Sequence, residues 1–171
     1  MQPDPKEEIT NLLPRLRRFA LSLTGESAAA DDLVQDSCLK ALERWHQWRP
    51  GTNLASWMFR IVQTSWIDQF RMQQRRKTDS DSEAVEHLAD PVVDNPGEHR
   101  SELRAVERAM QQLTDEQRSV LVLVGVQEMS YREAAEVLGV PLGTVMSRLA
   151  RARTRLAAEL ENQRGSQNET H

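Results

Sequence analysis

Between Ser130 and Arg153 the chain reads SYREAAEVLGVPLGTVMSRLARAR, and the chemistry on offer there is that of hydrogen-bond donors and fixed cations rather than of nucleophiles. Thr144, Met146, Ser147, Arg148 and Arg151 fall outside the apolar positions of a helical segment that opens at Leu142 and Gly143. Small polar groups near a helix N-terminus reach base edges, while arginines behind them hold phosphates. The N–H groups near Leu142 and Gly143 also suit a phosphate, because the first turn of a helix leaves its donors unpaired. A second helix must precede this one. Ser130 and Glu133 have the spacing of a capping box, so a helix is predicted to start at Tyr131. Gly139 ends it in the left-handed conformation, Val140 plugs the turn, and Pro141 fits the opening turn of the next helix, where a missing N–H costs nothing. Ala134, Ala135 and Leu138 are predicted to face inward from the first helix, and Val145, Leu149, Ala152 and Leu156 from the second. This is a helix-turn-helix pattern, a geometry that reads DNA in some proteins and is plain packing in others.

The 171 residues, 28% of them charged, carry several helix-sized apolar patterns and hardly any strand signal, which predicts an all-α chain of one or two small domains. A formal net charge of -4 argues against nucleic acid only on average. Arg71, Arg75, Arg76 and Lys77 form one basic run and Arg148, Arg151, Arg153 and Arg155 another, with Asp79, Asp81, Glu83, Glu86, Asp90 and Asp94 between them. Local fields steer DNA, so the segregation outweighs the total. Cys38 is the single cysteine, excluding an internal disulfide, and its place on an apolar stripe predicts a small core residue. His46, His87, His99 and His171 have no partner at zinc spacing, so no metal site and no cofactor are expected. The opening residues MQPDPKEEI form no apolar run suited to a signal peptide or a bilayer span, which predicts a cytoplasmic protein with no membrane insertion.

The elements that position these groups follow from periodicity. A first helix is predicted over 7–24, with Ile9, Leu12, Leu13, Leu16, Phe19, Ala20 and Leu23 inward, a bend or restart at Pro14 and an end at Gly25. A second, over about 29–45, buries Leu33, Val34, Cys38, Ala41, Leu42 and Trp45 and carries Asp32, Gln35, Asp36, Lys40 and Glu43 opposite. A third, capped by Asn53, runs from Leu54 towards Arg76 with Trp57, Met58, Ile61 and Val62 inward. Residues 78–97 lose periodicity, gather acids and contain Pro91 and Pro96, the composition of a flexible linker. The domain boundaries are therefore set at 1–77 and 98–162, with 163–171 as a disordered tail. The second domain opens with a helix over about 99–112 that turns Leu103, Val106 and Met110 inward, followed by one over about 115–127 capped by Thr114 and Gln117.

Two stretches resemble one family in order. ADDLVQDSCLKALERWHQWRPGTNLASWMFRIVQTSWIDQFR is similar to region 2 of bacterial sigma factors, and LTDEQRSVLVLVGVQEMSYREAAEVLGVPLGTVMSRLARARTRL to region 4. The pair, joined by a short linker with no domain before or between, resembles the extracytoplasmic-function (ECF) group of the sigma-70 family. LLPRLRRFALSLTG leading into ADDLVQD is nearest to its general-stress-response branch. The resemblance implies a promoter-specificity subunit, not an enzyme, that binds the RNA polymerase core through the β′ clamp helices and the β flap. On that basis Asp32, Gln35, Asp36, Leu39 and Lys40 would meet the core, although an acidic helix face by itself is more often simply a solvated one. Trp48, Phe59, Arg60, Thr64, Ile67, Asp68, Arg71, Arg75 and Arg76 would hold the opened −10 element, where bases stack on rings and phosphates need cations. Thr64 stands where many relatives carry Asn, and its hydroxyl still bonds a base edge. Leu142, Gly143, Thr144, Met146, Ser147, Arg148 and Arg151 would read the −35 element as duplex. Met146 replaces a basic residue common in relatives, so it offers a thymine methyl contact but no bidentate guanine contact. The resemblance further implies an anti-sigma partner, and the acidic linker could mask the basic faces of the free protein. The rival readings are a dimeric helix-turn-helix regulator, which leaves the DDLVQD helix without a role, and a sigma mimic that titrates an anti-sigma factor, in which the reading-helix arginines should be missing.

Overall fold

The computed structural model describes residues 4–79 and 98–168, and every described element is helical. The chain divides into two compact units. The first contains α1 (Pro5–Thr24), α2 (Ser27–Glu43), a 3₁₀ turn (Trp45–Gln47) and α3 (Leu54–Asp79). α1 starts two residues before the expected Glu7 because Asp4 accepts from the Lys6 N–H at 3.0 Å and Pro5 occupies the first helical position. It runs through Pro14 as one helix: the lost N–H lies on an exposed side, while Leu16, Phe19 and Ala20 anchor the following turn in the core. Gly25, at φ 72°, returns its N–H to the Leu21 carbonyl and ends it. Asn53 caps α3 as expected, its Oδ1 accepting from the Ser56 N–H at 3.2 Å. Leu33, Met58, Phe59 and Val62 fill the core between the three helices, with Phe19 and Phe59 edge to face at 5.3 Å.

Further expectations change in this unit. α2 ends at Glu43, and Leu42 and Trp45 are not core: Leu42 is 38% exposed and Trp45 half-buried. α3 extends through Thr78 and Asp79, two residues into the stretch read as linker, while residues 80–97 and the masking role given to them lie outside the described residues.

The second unit holds α4 (Glu98–Gln111), α5 (Asp115–Leu121), which continues into a π-helical turn at Val122–Val126, then α6 (Tyr131–Leu138) and α7 (Leu142–Asn168). The Thr114/Gln117 capping box starts α5, and the Arg118 guanidinium joins α5 to the end of α4 by donating to the carbonyls of Met110 and Leu113, each at 3.1 Å. Ala109, Leu123, Ala134, Val145, Leu149 and Ala152 form the core. The expected inward stripe of α4 is corrected: Leu103 is 62% and Val106 40% exposed, and the residue that reaches the core is Ala109. The tail is corrected as well. α7 continues to Asn168 rather than fraying after Asn162, because α4 lies alongside it and Arg108 Nη2 donates to Gln163 Oε1 at 3.4 Å.

Candidate nucleic-acid and partner interfaces

The helix-turn-helix is built as its spacing dictates. The Ser130 N–H donates to Glu133 Oε2 at 2.8 Å, and the Glu133 N–H donates to Ser130 Oγ at 3.1 Å, so both capping-box bonds are present. Gly139 takes φ 65°, the Val140 N–H returns to the Ala135 carbonyl, and α7 begins with the Pro141 carbonyl accepting from the Thr144 and Val145 N–H groups. Ala134 of α6 and Val145 of α7 are fully buried. Burial of Val145, Leu149 and Ala152 fixes the rotation of α7, leaving Leu142, Gly143, Met146, Ser147 and Arg151 exposed and Thr144 and Arg148 half-buried. Arg148 is only partly free. Its Nη2 lies 3.8 Å from Glu116 Oε1 in the first turn of α5.

On α3 the exposed Arg60, Thr64, Asp68, Arg71 and Arg75, with half-buried Ile67, share one face at helical spacing, and exposed Arg76 lies on an adjacent one. The Thr64 hydroxyl donates to the Arg60 carbonyl at 2.7 Å and accepts freely from outside. Phe59 does not belong to this face. It is 0% exposed, its ring covered by Phe19 and by the Arg15 guanidinium 5.5 Å from the ring centroid, so it is core and not a base contact. Trp48 differs: its ring is half-buried against Trp45, with centroids 5.0 Å apart, and its Nε1 has no hydrogen-bond acceptor among the described residues. Trp66 and Phe70, stacked at 5.8 Å with Phe70 44% exposed, were missed; the i, i+4 spacing of two rings beside a basic run was the signal for them.

On α2 the five predicted partner residues lie on one side. Leu39 is 57% exposed, Asp32 and Gln35 are exposed, and Lys40 pairs with Asp36 at 2.8 Å while donating to Ser65 Oγ on α3 at 3.1 Å. Lys40 therefore ties α2 to α3 as well as facing outward. Asp31, next to these residues, is bound by Arg17 of α1 at 2.6 Å, which raises the guanidinium pKa further. Gln35 and Leu39 also border an open cleft of about 470 Å³ between α1 and α2, with Leu13, Val34, Cys38 and Leu42. Leu13 and Leu42 were both expected to face inward, because both match the period of an inward stripe, but Leu13 is 37% and Leu42 38% exposed. Cys38 is half-buried there, and burial pushes its thiol pKa up.

Residues 9–76 match the family described as Sigma-70 region 2, and residues 103–156 that described as Sigma-70, region 4. The ECF RNA polymerase sigma factor EcfG of Rhodopseudomonas palustris is 36% identical over 155 residues, covering 91% of this chain and 84% of its own length. The chain is an ECF sigma factor of the sigma-70 family. This sigma factor is similar, at 35% identity and a TM-score of 0.79, to RpoE of Bartonella quintana solved with the anti-sigma factor NepR, with 91% of this chain and 96% of that one covered. It is also similar to CnrH solved with the cytosolic domain of CnrY, at 26% identity, a TM-score of 0.67 and coverage of 92% and 88%. The likeness to EcfG and RpoE agrees with the general-stress-response branch. The sigma factor is not an enzyme: it binds the RNA polymerase core and promoter DNA and directs initiation to promoters. No described helix is long and apolar enough to cross a membrane, and no group of three metal-ligating side chains occurs among the described residues.

Proposed function

We propose that the exposed side of α2, centred on Asp32, Gln35, Asp36, Leu39 and Lys40, docks the sigma factor on the polymerase clamp helices, that α3 with Trp48 holds the opened −10 element, and that the N-terminal half of α7 reads the −35 element as duplex. The chain divides for this purpose into residues 1–79 and 98–168, a revision of the boundaries expected from composition, and works in the cytoplasm. The observation that supports the upstream half of this reading most is the rotation of α7. Its apolar residues are buried on one side, Met146 and Ser147 are exposed near the N-terminal N–H groups that have no intrahelical acceptor, and Arg151 is exposed one turn further on. For the downstream half, Arg60, Thr64, Arg71 and Arg75 form the polar face, and with Phe59 in the core Trp48 stays as the aromatic contributor because its ring is only half-buried, although its indole N–H is itself buried. An anti-sigma protein that covers the α2 face would compete with core, by likeness to the NepR complex of RpoE.

A reconstituted transcription assay tests the reading. Purified core supplied with this chain should initiate selectively on fragments from a genomic promoter pool, and Arg151→Ala should weaken upstream-element binding and reduce its salt slope by about one phosphate contact. An unchanged slope removes Arg151 from the interface. The sigma-mimic reading expects a reading helix without cations; here Arg151, Arg153 and Arg155 are all exposed on α7.

A further inference from the structure

Among the described residues, Arg148 is the arginine of α7 that has a carboxylate within ion-pair distance. The Nη2–Oε1 separation from Glu116 is 3.8 Å, an ion pair rather than a hydrogen bond, with the Arg148 side chain 25% and the Glu116 side chain 70% exposed. The arginine stem is thus packed on α5, while the carboxylate stands in solvent at the edge of the surface that the proposed reading assigns to duplex DNA. Asp115, the other acid in the first turn of α5, is already held by Arg118 at 3.3 Å, so Glu116 is the acid left to face α7 from that turn. Glu116 follows the N-cap Thr114 by two residues, where the unpaired N–H groups of α5 favour an anion whether or not a cation is present.

We infer that Glu116 is a built-in competitor for DNA at Arg148. In the free protein the carboxylate holds the guanidinium. On the upstream element a phosphate takes its place, offering a shorter, charge-assisted contact, and the N-terminus of α5 keeps the released carboxylate stabilised. A long, solvent-screened pair is weak enough for this exchange to be reversible. Affinity for the upstream element is thereby held below what the cations of α7 alone would give, and Glu116 is a positioning residue that acts through Arg148. The inference rests on the proposed reading of α7.

The test is a double-mutant cycle in the full-length sigma factor bound to core, with a duplex recovered by the wild-type holoenzyme from a random-sequence pool as probe. Binding is measured across a salt series. Glu116→Gln should tighten binding about three- to tenfold at low salt, the gain shrinking as salt rises. With Arg148→Met, which keeps the apolar stem, the same Glu116→Gln change should give less than about a twofold gain. An equal gain in both backgrounds would mean that Glu116 acts by bulk charge alone, and no gain in the wild-type background would mean that the pair does not restrain Arg148; either overturns the inference. The reading beneath it fails in a different way, through unchanged binding in both Arg148→Met and Arg151→Ala. Circular dichroism melts of each variant separate loss of folding from loss of contact.

Discussion

Phe59 shows how one side chain can satisfy two descriptions until its surroundings are known. An aromatic next to Arg60 on a helix proposed to face DNA has the composition of a base-stacking site, yet its ring is sealed by Phe19 and capped by Arg15. Phe59→Ala should therefore lower stability by about 3–5 kcal/mol in denaturant unfolding, the cost of a large cavity, whereas Trp48→Ala should cost far less stability and reduce −10 binding instead. A loss as large for Trp48→Ala would make Trp48 a core residue, and a small loss for Phe59→Ala would return Phe59 to the surface. Cys38 makes a second case. Burial in the α1/α2 cleft raises the thiol pKa, so the thiolate is scarcer in the folded chain than in the unfolded one at neutral pH. Alkylation of the native protein, followed by mass spectrometry, should be slower than that of the denatured protein and should accelerate at higher pH than in the denatured chain. A faster native reaction would show that the cleft activates the thiol.

At the level of elements, local signals and long-range contacts divide the work differently in each helix. α6 is set by eight residues of sequence and its caps, because a capping box and a left-handed glycine fix both ends. α5 is less local. Its cap was legible, but the β-branched run that follows it opens into a π-helical turn, with the Gln127 N–H bonded to the Val122 carbonyl and Glu128 at φ 56° before α6 begins. α7 is the clearest instance of tertiary support, since α4 contacts it and Arg108 of α4 bonds Gln163 in its polar end. Truncation after Glu161 removes Gln163 and the last turns of α7, and should lower the stability of this unit by about 1 kcal/mol, read from thermal unfolding of the full chain with and without those residues. An unchanged melting temperature would leave the end of α7 as a frayed extension.

For the molecule as a whole, the sign of the net charge is a poor guide to its partner. A formal charge of -4 coexists with exposed arginines on α3 and α7, and DNA responds to those local fields. With two small interfaces carried by one chain on one polymerase, engagement of one element raises the effective concentration of the other. A template that retains only the −10 or only the −35 element should compete with the full promoter about 100-fold less well for the holoenzyme, in equilibrium competition at fixed salt. Loss of no more than a fewfold would mean that one unit supplies nearly all the affinity. The free sigma factor should show a much smaller difference, because without core the two contacts are not held at a fixed spacing.

The residue order alone determined where helices start and stop at Asn53, Thr114, Ser130 and Gly139, that the chain is all-α with a helix-turn-helix, and which face of α7 turns outward. These features are governed by interactions within about four residues, so a linear string contains them. Only the tertiary structure decided which apolar residues of a periodic stripe find partners. It buried Phe59 and Ala109 and left Leu39, Leu42, Leu103 and Val106 in solvent, and it set Glu116 against Arg148 across 32 residues of chain. The physical reason is that periodicity assigns a residue to a side of its own helix, whereas burial and ion pairing depend on which other helix is placed opposite that side.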